Sequence, residues 1–551
     1  MKNKIILIII TVILILGMSG IIYKRFDLTA EKRYTLSEST IKVLENVKKP
    51  MKIEVYLDGD FPASFKQLQN ETQFMLDEFR KINPNIDYKF RNPIAEKIPK
   101  DTLEAMGMQP SILPDMKNGK ISEIVMFPYA AVKYKNAGTS IPLIIQQSGI
   151  DSDTQLNESI ENLEYNFAST IKSMTEDHVK NIGFLVNQQE LSPDEFRGFI
   201  DLAVENYNIG PIIPENKTEL TFADIPTLKQ MNALVIAKPR KAFTDNEKVI
   251  LDQYIMNGGK TLWMLDAVNA EMDTLFQAKK IMAYPIDLNL TDFMFNYGLR
   301  INPALTKDFK KSALIRIVSG EVAGNPQYSS FLWPYFPLGI AETPNPITKN
   351  INPVKFEFPT SIDTLGGRKN IKTKVLFESS ERTVSKTVPN YVALTEIVRA
   401  DSIGEMEHPA PPRIFAVALE GKFTSAYATR SERNSYPHFK TQSPENKMLV
   451  VADGDIARNQ IWKGKPLPLG EDLLTNSHYG NAQFLRNALD YLLDDSNLME
   501  LRDRTIEVRL LDRQRIDEEK SNWQWFNLLL PLGISGIFGA GFYFLRRQSF
   551  S

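Results

Sequence analysis

The sequence predicts an α/β protein with an apolar segment near each end. Three observations carry that expectation. Short, continuously apolar runs such as Ala233-Leu234-Val235-Ile236-Ala237 alternate with stretches of helical periodicity, the pattern of strands covered on both faces. Two charge-free segments of membrane-spanning length, Ile5–Ile22 and Trp525–Leu545, flank the rest. The 551 residues carry 65 basic and 67 acidic side chains and are 43% hydrophobic, which suits several packed cores and argues against a nucleic-acid binder with its basic stripe.

Ile5–Ile22 is interrupted only by Thr11, Ser19 and two glycines, and as a helix it spans about 27 Å, close to the ~30 Å hydrocarbon layer. It exceeds the apolar core of about 7–15 residues in a cleaved signal peptide, and Gly17-Met18-Ser19-Gly20 is a poor cleavage site. Residues 1–25 therefore read as an uncleaved anchor. In the second segment Trp523, Trp525 and Tyr543 lie near the two ends, where amphipathic rings favour the headgroup level. Arg546-Arg547 follow it and Asp517-Glu518-Glu519-Lys520 precede it, so the positive-inside bias expects a cytoplasmic C-terminus for residues 523–551. Two spans then put the N-terminus on the same side and residues from about 26 to 522 on the other. Terminal placement and charged flanks disfavour the alternative of two buried core helices.

Residues 26–178 alternate helix and strand signals. Thr35-Leu36-Ser37-Glu38 reads as a capping box before Ile41, Leu44 and Val47. Met51–Leu57 alternates as a half-buried strand, and Phe65, Leu68, Thr72, Met75, Phe79 and Ile82 form one helical face. Ile86–Phe90 reads as a strand. Ile121–Tyr134 and Ile141–Ile145 read as hairpin strands turning at Asn136-Ala137-Gly138, ahead of a long helix with Leu156, Ile160, Leu163, Phe167, Ile171 and Met174. This order is that of a thioredoxin-like domain. Without a single cysteine it is expected to bind or pack rather than to do redox chemistry.

Residues 179–300 begin a doubly wound parallel sheet: strand Ile182–Val186, a capping box Ser192-Pro193-Asp194-Glu195, strand Ala233–Ala237, a helix capped by Thr244-Asp245-Asn246-Glu247 and ended by Gly258-Gly259, and strand Thr261–Leu265. Residues 411–500 continue it with Ile414–Leu419, Met448–Ala452 and a helix over Asn481–Leu493. Between them, 301–410 is proline-dense and reads as an insertion of strands (Val354–Phe358, Lys374–Phe377) and long loops. Residues 501–522, with Arg502, Arg504, Arg509, Arg513 and Arg515 among Asp503, Glu507, Asp512 and Asp517, read as a charged connector or a docking surface for a neighbouring subunit.

No stretch carries an established catalytic pattern. Gly259-Lys260-Thr261 resembles the tail of a phosphate-binding loop, but Tyr254 stands where its first glycine belongs and the turn joins helix to strand, the reverse of what a phosphate needs. Nucleotide hydrolysis is thus expected from another subunit. His178, His408, His438 and His478 lack metal-ligand spacing. Asp453-Gly454-Asp455 follows an apolar strand at the carboxyl edge, where open α/β sheets place ligands. It reads either as a tight turn whose aspartates accept backbone N–H groups or as oxygen ligands for Mg²⁺ or Ca²⁺. Tyr328, Phe331, Trp333, Tyr335 and Phe336 either line a ligand or partner groove or pack the insertion onto the sheet. No cofactor is expected.

Several stretches together resemble the GldG family of gliding-motility-associated ABC transporter accessory, or substrate-binding, proteins. They are Arg25-Phe26-Asp27-Leu28-Thr29 with Arg33–Ser37; Leu234–Pro239 leading to Asp252–Lys260; Ser361–Leu365; and Val450–Asp455 with Gly480-Asn481 and Asn487-Ala488. The resemblance spans essentially the whole chain. It implies a bacterial inner-membrane protein with a periplasmic body, acting beside a polytopic permease and a separate cytoplasmic ATPase. It also implies a central domain similar to class I glutamine-amidotransferase-like α/β domains. The chemistry of those enzymes needs a nucleophilic cysteine that this chain does not have.

The leading expectation is a non-enzymatic accessory subunit contacting permease, ATPase and membrane lipid. The alternatives are a receptor for a small molecule or glycan, with Asp453, Asp455, Tyr328, Trp333 and Tyr335 as contact residues, and a membrane-tethered hydrolase using oxygen nucleophiles.

Overall fold

A computed structural model describes residues 35–503 and 513–549, apart from 118–119, 146, 148, 177–178, 323, 344, 367–369, 399–409, 431–435, 437 and 474. The first apolar segment, His178, His408 and the connector residues Arg504, Glu507, Arg509 and Asp512 lie outside the described residues. The chain divides into two compact units, Met1–Thr505 and Ile506–Ser551.

In the first unit, residues 35–176 build a four-stranded sheet in the order Ile86–Phe90, Met51–Val55, Tyr129–Tyr134, Ala137–Pro142. The first pair is parallel and the other two are antiparallel. Helices Ala63–Ile82 and Ser152–Thr175 carry the expected apolar stripes and meet where Phe79 stands edge-on to Phe167, 6.5 Å between ring centres.

The helix Glu38–Glu45 is capped by Ser37 rather than Thr35: Thr40 N donates to Ser37 Oγ at 3.0 Å. The reciprocal carboxylate is also not Glu38 but Glu164 of the long helix, which accepts from Ser37 N at 2.8 Å, so a tertiary contact replaces the local box. The stretch 121–134 is not one strand. Lys120–Met126 pairs with Ser111–Lys117, and a new strand starts at Tyr129 after Pro128, whose missing N–H interrupts a ladder. The turn into the next strand falls on Lys135 (φ 54°) and Asn136, earlier than expected.

The larger sheet has nine strands. Five are parallel, in the order Gln442–Val451, Lys260–Met264, Ala233–Ala237, Asn181–Leu185, Asn208–Ile212. Beyond Gln442–Val451 the sheet becomes antiparallel through Ile414–Thr424, Ser361–Thr364 and Leu299–Asn302, with Ile371–Glu378 also paired to Ile414–Thr424. The parallel arrangement expected from sequence therefore holds for only part of the sheet. A parallel neighbour needs a crossover of a dozen or more residues, usually helical, and the described residues of the link 425–441 contain no helix.

Both faces of this sheet are covered, as continuous apolar strands require. Leu234, Ile236 and Trp263 face one side with Val249 and Ile250 of helix Asp245–Met256; Val235, Leu262 and Leu449 face the other with Phe484 and Leu485 of helix Asn481–Leu493. The predicted capping box of Thr244 and Glu247 is present, and Gly258 (φ +94°) supplies the left-handed exit that a side chain would resist. The Ser192/Glu195 pair also forms, but as a turn, and its helix starts only at Arg197. Apolar side chains of residues 43–171 and of one face of the large sheet join in one continuous cluster.

The proline-dense insertion is dominated by a long hairpin, Ser312–Val322 against Asn325–Gly339. Of the two strands expected elsewhere in it, Ile371–Glu378 is longer than predicted and Val354–Lys355 is only a short contact with Leu338 and Gly339. The second unit, taken by itself, holds the helix Arg513–Ser549. Its stretch Glu519–Tyr543 is long and apolar enough to cross a membrane and is not buried at all.

Candidate functional site

The carboxyl ends of three adjacent parallel strands converge on a group of buried charges. Lys238 directly follows Ala233–Ala237, Asp266 follows Lys260–Met264, and Asp453 and Asp455 follow Gln442–Val451. Lys238 adopts φ +57° and donates its backbone N–H to Met264 O at 2.9 Å, ending the strand. Its ammonium, with the side chain only 3% exposed, lies 2.5 Å from Asp455 Oδ1, 3.3 Å from Glu271 Oε1 and 3.4 Å from Asp266 Oδ2. Arg458 extends the network to Glu195 (3.1 Å), Glu271 (3.3 Å), Asp273 (3.0 Å) and Asp455 (3.6 Å). Gly454 is required by this packing: a Cβ there would stand 2.5 Å from Lys238 Cγ and 3.0 Å from Asp266 Oδ2.

Both oxygens of Asp453 and Oδ1 of Asp266 are engaged by backbone. Asp453 accepts from Glu357 N at 2.7 Å and from Asp455 N at 2.8 Å, while Asp266 Oδ1 accepts from Gly454 N at 2.5 Å. Burial, then the charges of Asp455 and Asp266, hold the Asp453 carboxyl well above the usual carboxylate range, against the pull of its two backbone donors. Burial likewise pushes Asp266 up to about 6, although Lys238 opposes it. For Lys238 burial alone would favour the neutral amine, but Asp455, Asp266 and Glu271 outweigh it and hold the ammonium charged.

Ligand oxygens of Asp266, Asp453 and Asp455 lie within 4.8 Å of one another, the geometry a cation would seek. The group does not fit a hard divalent ion. Such an ion takes about six or more oxygens, whereas here both oxygens of Asp453 are held by backbone N–H groups and Asp455 and Asp266 already face an internal cation. The Asp453-Gly454-Asp455 segment acts as a turn, and Lys238 supplies the positive charge.

Beside this network opens a cleft of about 340 Å³. Its wall is built from Arg458, Glu357, Lys355 and Asp472, with Met272 and Phe276 contributing apolar surface. Lys355 is buried, and its ammonium stands 2.7 Å from Glu357 Oε1 and 3.4 Å from Asp472 Oδ2. At the rim Trp462 is presented by the short hairpin Ile461–Trp462/Lys465–Pro466, whose two-residue turn, Lys463 (φ 50°) and Gly464 (φ 73°), matches the twist of paired strands.

The aromatic group of the insertion lies in strand Asn325–Gly339 rather than in a loop, and it divides. Trp333 and Tyr335 are buried in a core with Phe336 and Phe358; Trp333 and Tyr335 ring centres are 5.1 Å apart, and those of Tyr335 and Phe358 are 5.7 Å apart. Tyr335 Oη donates to Glu396 Oε2 at 2.8 Å, which satisfies its polar end. Tyr328, 48% exposed, lies at the far end of the hairpin with the Arg316 guanidinium 5.3 Å from its ring centre. The structure therefore gathers Asp453 and Asp455 and leaves the three aromatics out of that site. Lys238, Asp266, Lys355 and Arg458 were missed in the sequence, although Lys238 and Asp266 could have been found by the same carboxyl-edge argument that singled out Asp453.

Residues 30–133 match a domain of unknown function, DUF7088. No curated protein matches the chain. A similar solved structure is the mmIFT52 N-terminal domain, at 13% identity and a TM-score of 0.31 over 57% of this chain and 99% of that one. Residues 179–488, which carry the large sheet and the charged edge, match the family model ABC_transp_aux, described as an ABC-type uncharacterized transport system. More than half of the sequence is covered by that match, so the chain belongs to this family and has an accessory role in an ABC-type transport system.

Proposed function

We propose that the protein is a non-enzymatic, membrane-anchored accessory subunit of a gliding-motility-associated ABC transporter of the GldG kind. In this reading the helix Glu519–Tyr543 and the segment Ile5–Ile22 anchor it in the bacterial inner membrane, with both termini cytoplasmic and the body periplasmic. A polytopic permease and a separate cytoplasmic ATPase are its partners. The observation that carries the reading is the ABC-transport family match over the α/β body, joined in one chain to a wholly unburied apolar helix. The sheet order of residues 51–142 supports a thioredoxin-like packing module. The amidotransferase-like ancestry proposed for the large sheet brings no amidotransferase chemistry, because the chain has no cysteine. At the carboxyl edge the acidic groups are neutralised by Lys238 and Arg458, which supports a structural rather than a catalytic use of those charges.

The test is affinity purification of the full-length chain from its native membrane in mild detergent. A polytopic permease and an ATPase with a phosphate-binding loop should co-elute in constant ratio. Repeated recovery of the chain alone would count against the assignment.

A further inference from the structure

We infer that the cleft beside the carboxyl-edge network is a binding site for an uncharged sugar. Its volume of about 340 Å³ falls within the ~300–1,000 Å³ range of small-molecule sites, and its place outside the carboxyl ends of parallel strands is where open α/β sheets take ligands.

Charge selects the ligand's chemistry. Lys355 is already paired with Glu357 and Asp472 inside the cleft wall, and Arg458 with Glu195, Glu271 and Asp273. At Lys355, and between Arg458 and Glu195 or Glu271, a ligand carboxylate or ammonium would have to displace one member of a pair and leave the other largely buried without a counter-charge, which is unfavourable; only Asp273, 74% exposed, could be released into water. A hydroxyl asks for no displacement. An ionised carboxylate offers about four lone-pair sites and a guanidinium five N–H donors, so both can serve a hydroxyl while keeping their ionic partner. The Gln460 amide in the same wall can donate and accept. A polyol is thus the ligand these groups can hold without disturbing one another.

The apolar surface points the same way. Of the five tryptophans, Trp263 and Trp333 are buried in cores and Trp523 and Trp525 lie on the apolar helix. Trp462 alone is 51% exposed at the mouth of a cleft. A pyranose ring has a face of C–H bonds that packs on an indole and an edge of hydroxyls that planar carboxylate, amide and guanidinium groups can read. The rim and wall of this cleft present those two elements side by side. The inference goes beyond the transporter role and does not depend on it, since the chain can hold a sugar whether or not a permease co-purifies.

Calorimetric titration and saturation-transfer NMR on the full-length chain, held in a sugar-free polyoxyethylene detergent, test it. The probes are glucose, galactose, N-acetylglucosamine and their β1,4-linked dimers, with glucuronate and glycylglycine as charged controls. At least one neutral probe should bind saturably, and Trp462→Ala, at an exposed position that should not affect folding, should weaken it tenfold or more while leaving the thermal midpoint unchanged. Trp462→Tyr should restore most of the affinity. The inference is overturned if no neutral probe saturates the chain up to about 10 mM, if the charged controls bind as tightly, or if Trp462→Ala binds as the wild type does.

Discussion

Replacing Lys238 with methionine keeps most of an apolar stem and removes the ammonium that faces Asp455 at 2.5 Å, Glu271 at 3.3 Å and Asp266 at 3.4 Å. Among the described residues Glu271 retains Arg240 and Arg458, and Asp455 retains only Arg458 at 3.6 Å. Removing one partner of a buried ion pair costs about 3–5 kcal/mol, because the desolvated charge left behind has no compensation. The urea slope is about 1–3 kcal/mol/M for a small protein and larger for a bigger one, so in a unit of this size the unfolding midpoint falls by up to about 1 M. The effect should also depend on pH in a definite direction. Burial raises the folded-state pKa of Asp266 from 3.8 to about 6 even with Lys238 present, and it rises further without the lysine. A carboxyl raised in this way contributes stability that is complete below its unfolded value and is lost as pH climbs through the folded one. The deficit of Lys238→Met should therefore be largest near pH 8 and shrink toward pH 5, where the folded state holds the Asp266 proton. Urea unfolding of the full-length chain in detergent, followed by tryptophan fluorescence, reads this out, since Trp263 lies buried in the strand that ends at Met264. Adding Asp455→Asn to the variant should recover part of the loss, as expected for groups in contact. A wild-type midpoint at pH 8, or a deficit that grows on acidification, would refute the idea that Lys238 acts as the internal cation of this edge.

Two further outcomes can be measured the same way. Burial pushes Glu190 from 4.5 up to about 7, so its charging is a burden that appears as pH rises between those values; Glu190→Gln should match the wild type near pH 4 and exceed it by up to about 3 kcal/mol at pH 8. No gain at pH 8 would show that the carboxylate is stabilised in a way burial does not describe. Trp333→Ala should cost about 3–5 kcal/mol because it opens a cavity among Tyr335, Phe336 and Phe358, whereas Tyr328→Ala on the exposed end of the hairpin should stay within about 0.5 kcal/mol. Equal effects of the two changes would contradict the division of this aromatic group into core and surface.

Much of the secondary structure was legible because it is a local property. The period of apolar residues announced helices Ala63–Ile82, Ser152–Thr175 and Asn481–Leu493 to within a few residues, and the all-apolar run Ala233–Ala237 announced a strand covered on both faces. The carboxyl-edge rule pointed to Asp453 and Asp455 because it needs only a strand and the residues after it. Which neighbours those aspartates have is a different kind of fact. Lys238 and Asp266 stand at the ends of strands about two hundred residues earlier in the chain, and only the pairing of Lys260–Met264 with both Ala233–Ala237 and Gln442–Val451 brings the three strand ends together. The same holds for Ser37, whose cap is completed by Glu164 across the fold, and for Trp333 and Tyr335, whose burial depends on what the hairpin packs against. Local backbone preferences are encoded within a few residues, whereas charge compensation and burial depend on distances that exist only after the chain has closed on itself.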